Sequence, residues 1–176
     1  MSDITVRALG AEEWEHYRSM RLTALRESPE AFVASHADEE SEPEDFWRAR
    51  MERSTRLLAE RDGEALGIAS VGEVDEDRPD HAQLFGLFVT PAARGTGVAA
   101  ALVRAASRVA AEKGRTQLLY WVGTDNGRAV AFASSFGFRP TENRRPMRVV
   151  SEDDGEEEVA MTLALAGDRG GIPTAI

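Results

Sequence analysis

The chain of 176 residues carries 42% apolar and 30% charged side chains, a composition that fits one soluble globular domain and excludes a disordered or fibrous segment. Its formal net charge of −10 argues against a general nucleic-acid binder, whose affinity comes from neutralising phosphates. No apolar run reaches the roughly 18–20 residues of a membrane helix, and the absence of cysteine excludes disulfides, thiolate metal sites and a cysteine nucleophile.

Ile4 to Leu9 alternates apolar and polar residues and predicts a first strand, closed by Gly10. Between Ala11 and Glu27, Trp14, Tyr17, Met20, Leu22 and Leu25 recur at helical spacing, and Ser28-Pro29 ends the helix. The stretch from His36 to Asp45 is acidic and reads as loop. Pro43-Glu44-Asp45 then opens a second helix, with proline and acids in its first turn. Thr55–Glu60 and Glu64–Val71 are apolar runs separated by Arg61-Asp62-Gly63, a hairpin signal. An acidic loop follows, from Glu73 to Asp80, and Gln83–Val89 reads as a buried strand ended by Pro91.

Gly97–Lys113 is a helix with Val98, Leu102, Val103, Ala106, Val109 and Ala110 on its inner face and Gly114 as its stop. Gln117–Val122 is the next strand. Asn126–Phe136 is a helix capped near Asp125 or Asn126 and ended by Gly137. Arg148–Ser151 and Glu157–Leu165 pair as a last hairpin around Asp153-Asp154-Gly155. The order is that of a mixed α/β chain: one domain over residues 1–166, and a Gly-rich flexible tail over 167–176.

Charge divides this chain into three parts. Residues 1–80 hold 21 acids and 10 bases, residues 81–150 hold 3 acids and 10 bases, and residues 151–176 hold 7 acids and 1 base. A basic middle in an acidic frame suggests an anionic ligand on the middle segment and a cationic one elsewhere, with solvated surface charge as the plain alternative. The sharpest feature lies in that middle: Val89-Thr90-Pro91-Ala92-Ala93-Arg94-Gly95-Thr96-Gly97-Val98-Ala99-Ala100. A strand ends there in a Gly-containing turn that opens a helix, whose unpaired N–H groups and dipole favour an anion such as a phosphate or pyrophosphate. A Walker loop is excluded, because no Gly-Lys-Ser/Thr follows. The dinucleotide pattern is formally met by Gly95, Gly97 and Ala100, but Arg115-Thr116-Gln117 stands where that pattern expects an acid. A purely structural turn is the third reading.

Val89-x-Pro91-x-x-Arg94-Gly95-x-Gly97-Val98-Ala99 closely resembles the acetyl-CoA signature of the GNAT superfamily of N-acetyltransferases. Asn126-x-x-Ala129-x-x-Phe132-x-x-x-x-Gly137-Phe138 resembles that family's second block, and the likeness spans roughly residues 3–165. It implies a mixed, mostly antiparallel sheet of six to seven strands flanked by about four helices. It also implies acetyl-CoA as co-substrate and no metal. The pantetheine arm would enter between the strands 83–89 and 117–122 and pair with backbone groups of Leu87, Phe88 and Val89. The Val89 N–H would hold the thioester oxyanion. Amides of Gly95, Thr96, Gly97, Val98, Ala99 and Ala100, with Arg94, would hold the pyrophosphate, and Asn126 would hydrogen-bond the arm, besides any capping role. Phe132 and Phe138 read as core.

The chain departs from that pattern at the catalytic groups. Many members carry a tyrosine after the position of Phe132 that protonates the leaving thiolate; here it is Ala133, and Ser134 lies about 100° round the helix. A thiol's pKa near about 8.5 lets the thiolate leave with little help. Positions that hold a carboxylate in some relatives are Gln83 and Trp121, which read instead as walls of the acceptor pocket, with Trp121 as core the alternative. His81, on the face shared by Gln83 and Val89, and Glu73, ending a neighbouring strand, are the two candidate bases, each with a solvated surface role as the alternative. His16, His36 and His81 are too scattered for a metal site. The expectation is a direct transfer of acetyl from acetyl-CoA to a primary amine, with the acidic residues 11–80 favouring a small cationic acceptor. Acetylation of a protein N-terminus or side chain is the rival within the class, and a catalytically weak acyl-CoA-binding module the rival outside it. With no basic, apolar leader in view, the expected setting is cytoplasmic, with no nucleic acid or membrane partner, and exposed sheet edges leave room for a homodimer.

Overall fold

The computed structural model describes residues 3–29, 35–74, 78–124, 126–146 and 157–165. They contain, in order, β1 (Thr5–Ala8), α1 (Trp14–Glu27), α2 (His36–Glu40), α3 (Glu44–Arg53), β2 (Thr55–Arg61), β3 (Glu64–Glu73), β4 (His81–Val89), α4 (Val98–Glu112), β5 (Gln117–Gly123), α5 (Gly127–Phe136), β6 (Arg139–Pro146) and β7 (Glu157–Ala164). Seven strands match the expected mixed α/β class, and the β1–β2, β2–β3, β5–β7 and β6–β7 pairings are antiparallel. The chain forms two compact units. One is Met1–Gly72 with Leu84–Ala106, and the other is Glu73–Gln83 with Ser107–Ile176.

In the first unit the strand order is β1-β2-β3-β4. The β2–β3 hairpin turns through Asp62 and Gly63, whose φ values of 55° and 81° are what a two-residue turn matched to strand twist requires. Leu66 to Val71 are buried without interruption along β3, so that strand is covered on both faces. At Gly67 a Cβ would lie 2.6 Å from the Phe88 carbonyl oxygen, so only glycine allows the backbone this approach. Against the strands, Tyr17, Met20, Leu22 and Leu25 of α1 pack with Trp47 of α3, Leu58, Ile68 and Phe88. Trp47 is fully buried and takes Tyr17 and Phe46 edge-on at 6.0 and 5.2 Å.

One expectation fails in this unit. His36–Asp45 is not all loop: α2 occupies His36–Glu40 and brings the α-helices among the described residues to five. Ser35 caps α2 by accepting from the Asp38 N–H at 3.2 Å, and Asp38 and Glu39 sit in the first turn, where the dipole favours anions. What holds so short a helix is Glu39, buried to 4% exposure and gripped by two arginines.

In the second unit the order is β5-β7-β6. β7 pairs with β5 from Gln117↔Ala164 to Gly123↔Glu158. Its other partner is not Arg148–Ser151 but β6, from Arg139↔Thr162 to Pro146↔Glu157, with an irregularity between Pro140 and Arg144. Two prolines and three arginines hide a strand from an alternation search, yet they suit an end strand, whose outer N–H groups need no partner. The expected strand Arg148–Ser151, the turn Asp153-Asp154-Gly155, the Asp125 cap position and the tail 167–176 lie outside the described residues.

Candidate active site

In the first unit β4 ends at Val89, a single 3-10 turn covers Pro91–Ala93, and α4 starts at Val98. Arg94 is exposed, but its side chain is tied back to the turn. Its Nε donates to the Val89 carbonyl at 3.0 Å, Nη2 reaches Ser28 Oγ at 3.4 Å, and the guanidinium lies 5.9 Å from the Phe88 ring centroid. Thr96 Oγ1 donates to the Ala93 carbonyl and closes the turn. Gly95 and Gly97 adopt φ of 79° and 94°, and a Cβ on either would meet nothing within 4 Å. The N–H groups from Gly95 to Ala100 find no acceptor among the described residues; the first bonded one is that of Ala101, to Gly97. A row of free donors beside open space, with a fixed guanidinium at its edge, fits a pyrophosphate. Leu87 and Val89 are half-buried and Phe88 is buried, so the strand leading into the turn is held by the core.

The second unit holds the other residues singled out by sequence. Asn126 caps α5 by accepting from the Ala129 N–H at 3.1 Å. Ala133 is buried, so α5 presents no proton donor there, while Ser134 is exposed. Phe138 is core, and Phe132 is half-buried with Phe136 edge-on at 5.6 Å. Trp121 is half-buried, with the Arg145 guanidinium 4.1 Å from its ring centroid and Arg145 bonded to Glu158 at 2.7 Å. Gln83 is half-buried.

The two candidate bases differ in what they are bonded to. Both oxygens of Glu73 accept from Arg115 Nη2, at 2.7 and 3.0 Å, which leaves this carboxylate committed to an ion pair. His81 Nδ1 lies 3.0 Å from Asp80 Oδ1, and the hydrogen bond from His81 holds the Asp80 carboxyl below the usual carboxylate range. Asp80 is in turn fixed: its Oδ2 accepts from Thr116 Oγ1 at 3.2 Å, and its carbonyl accepts from the Thr116 N–H at 2.8 Å. Arg115 also donates to the Pro79 carbonyl, so Arg115-Thr116 holds Glu73 and the Pro79–His81 turn together. Asp80 escaped the sequence reading although it adjoins His81; Thr116, 36 residues away, offers no local signal.

A second polar chain crosses the first unit. Glu39 accepts from Arg21 and Arg50, each through two contacts of 2.9 to 3.2 Å. The Arg50 carbonyl accepts from Arg56 Nε and Nη2 at 3.1 and 3.0 Å, and Arg56 Nη1 donates to Ser70 Oγ at 2.8 Å. Arg56 is 3% exposed and lies between the Tyr17 and Phe85 rings, 4.7 and 5.6 Å from their centroids. Burial pushes its guanidinium down to about 10, helped by the charges of Arg50, Arg53 and Arg21. Among the described residues no group of three or more His, Cys, Asp or Glu side chains can hold a metal, and no helix is long and apolar enough to cross a membrane.

The model of the acetyltransferase (GNAT) family matches residues 17–138. The chain is 32% identical over 110 residues to an uncharacterized N-acetyltransferase of Archaeoglobus fulgidus, covering 55% of this chain and 68% of that one. Its fold is similar to that of an N-acetyltransferase from Staphylococcus aureus Mu50, at TM-score 0.71 and 17% identity over 93% and 99% of the two chains. It is equally similar to the yncA protein of Salmonella typhimurium, solved with its cofactor acetyl-CoA, at TM-score 0.70 and 19% identity over 98% and 99%. The chain belongs to the acetyltransferase (GNAT) family and is an N-acetyltransferase with acetyl-CoA as its donor.

Proposed function

We propose that the chain transfers acetyl directly from acetyl-CoA to the primary amine of a small acceptor, with no covalent enzyme intermediate. The amine nitrogen attacks the thioester carbonyl, the C–S bond breaks, and CoA leaves as the thiolate. The observation that carries this reading is the row of N–H groups over Gly95–Ala100 that find no acceptor among the described residues, beside open space at two left-handed glycines. In this reading the pantetheine arm runs along Leu87, Phe88 and Val89, and the Val89 N–H takes the developing oxyanion. Trp121 and Gln83 shape the acceptor pocket. The acidic surplus of residues 1–80 supports an acceptor with a cationic end. Thermal denaturation with acetyl-CoA, and with NAD and dephospho-CoA as controls, tests it. Acetyl-CoA at about 100 times its Kd adds roughly 2.7 kcal/mol. A shift with acetyl-CoA, followed by thiol release with an amine panel, is the expected result. No shift sinks the placement of the donor, and binding without thiol release from any amine leaves an acyl-CoA-binding module instead.

We propose His81, ahead of Glu73, as the group that takes the ammonium proton. The bond to Asp80 favours a proton on Nδ1 and leaves Nε2 as the acceptor. In this reading His81 takes the proton from the acceptor's ammonium before attack, not within the transition state. Asp80→Asn tests the arrangement, since a carboxamide can donate to Nδ1 and put the proton on Nε2, where it blocks the base. The expected result is kcat lowered about 10- to 100-fold with KM for acetyl-CoA unchanged, and a smaller loss in Asp80→Ala. Equal, wild-type kcat in both variants removes His81 from the mechanism.

A further inference from the structure

Arg94 is bonded to more than a phosphate ligand needs. Its main-chain N–H donates to the Pro91 carbonyl at 3.3 Å, which fixes where the side chain starts. Its Nε donates to the Val89 carbonyl at 3.0 Å, and its Nη2 to Ser28 Oγ at 3.4 Å. Holding an exposed arginine in one orientation costs side-chain entropy, and these two bonds oppose that cost. Three of its five N–H donors find no acceptor among the described residues, so the guanidinium can keep both bonds and still meet a phosphate.

The carbonyl it holds lies at the end of β4, where the thioester is proposed to sit. On the same peptide, the Thr90 N–H donates to the Leu66 carbonyl at 2.9 Å. One residue back, Phe88 is 4% exposed, and its carbonyl lies at the close approach to Gly67. The strand end is thus held by the core on every side but one, and on that side the anchor is the Arg94 side chain. Ser28 steadies that anchor from the end of α1. Its N–H donates to the Ala24 carbonyl at 2.9 Å, which leaves its hydroxyl to accept from Arg94. We propose that Arg94 is a positioning residue for the transfer step: through the Val89 carbonyl it sets the residue whose N–H takes the oxyanion, and Ser28 aims it there. A donor to an oxyanion works by being in place before charge develops, so loosening its backbone lowers the rate even where the donor molecule still binds. The proposal rests on the donor placement given above, and it adds that Arg94 matters to a donor with no phosphate at all.

The test compares two donors, acetyl-CoA and S-acetylpantetheine, which carries the thioester and the arm but no phosphate. Thiol release is measured with the fastest amine of the panel, for the wild type, Arg94→Lys, Ser28→Ala and Ser28→Thr. Arg94→Lys keeps the positive charge, but a single ammonium does not reproduce the planar fork that bonds Val89 through Nε and Ser28 through Nη2. At saturating acetyl-CoA its kcat is expected to fall about tenfold while Kd for acetyl-CoA rises no more than about threefold. With S-acetylpantetheine, kcat/KM should show about the same tenfold loss. Ser28→Ala should show a smaller loss with both donors, restored in Ser28→Thr, whose hydroxyl can still accept. A loss confined to acetyl-CoA means that Arg94 acts on the phosphates alone; it overturns the inference and leaves the donor placement standing. Unchanged kcat in Arg94→Lys overturns it as well. A wild type that acetyl-CoA does not stabilise, or that releases thiol with no amine, sinks the reading beneath the inference and the inference with it. Should Arg94→Lys fail to fold, Ser28→Ala decides alone: wild-type rates with both donors overturn the proposal.

Discussion

Gly97→Asp is expected to abolish measurable acetyl-CoA binding while leaving a folded protein. Gly97 has φ of 94° with nothing within 4 Å of its missing Cβ, in the row of unpaired N–H groups that opens α4. A carboxylate there enters the space proposed for the pyrophosphate and repels it at a few ångströms, where like charges near a protein surface interact by several kcal/mol. A rise in Kd of about 100-fold or more follows. At a ligand concentration that stabilises the wild type by roughly 2.7 kcal/mol, such a variant gains only about 0.4 kcal/mol. The left-handed backbone strain of about 1–2 kcal/mol lowers Tm without ligand, so ligand-dependent and ligand-independent losses must be separated. Gly114→Asp provides the control: φ is 80°, a Cβ meets nothing within 4 Å, and the residue lies beyond the other end of α4. It should lose the same ligand-free stability and keep the full acetyl-CoA shift. If both variants keep the shift, the pyrophosphate is not on this turn.

Several local features of this fold are legible in sequence. The turn Arg94–Gly97, the cap at Asn126 and the hairpin at Asp62-Gly63 each depend on residues within a few positions of one another, and each sits where the spacing places it. The strand β6 was not legible, because an end strand answers to one neighbour only and tolerates Pro140 and Pro146. Polar chemistry that joins distant segments was not legible either. Glu39 lies in a run of acids that any composition rule assigns to solvent, yet its partners stand 18 and 11 residues away. Arg56 sits in an apolar strand whose pattern says only that its neighbours are buried; what it bonds to is decided by α3 and β3. Asp80 could have been paired with His81 from adjacency, but the hydroxyl of Thr116 that orients it belongs to another strand approach.

Glu39→Ala is expected to destabilise the protein by about 3–5 kcal/mol, because it removes the carboxylate that the largely buried Arg21 and Arg50 guanidiniums share. The Arg21 and Arg50 side chains are 15% and 16% exposed, so water relieves little of that charge. The loss should spread: the Arg50 main chain anchors Arg56, and Arg21 belongs to α1, so α1, α2, α3 and β2 are tied through this carboxylate. Glu39→Gln keeps the shape and two acceptor contacts, and it should cost less than the alanine variant. Acid separates the charge from the shape. Burial alone would raise the Glu39 carboxyl, but the hydrogen bonds from Arg21 and Arg50 outweigh it and hold the group below the ordinary glutamate range. A carboxyl lowered in the folded state contributes stability in full above its unfolded pKa and loses it as pH falls through the unfolded value toward the folded one. Urea denaturation at pH 7 and at steps below pH 5 should therefore show wild-type stability falling toward that of Glu39→Gln, and the gap between them closing in acid. A gap that stays constant with pH means that Glu39 stabilises α2 by packing and hydrogen bonding, and that its charge contributes nothing.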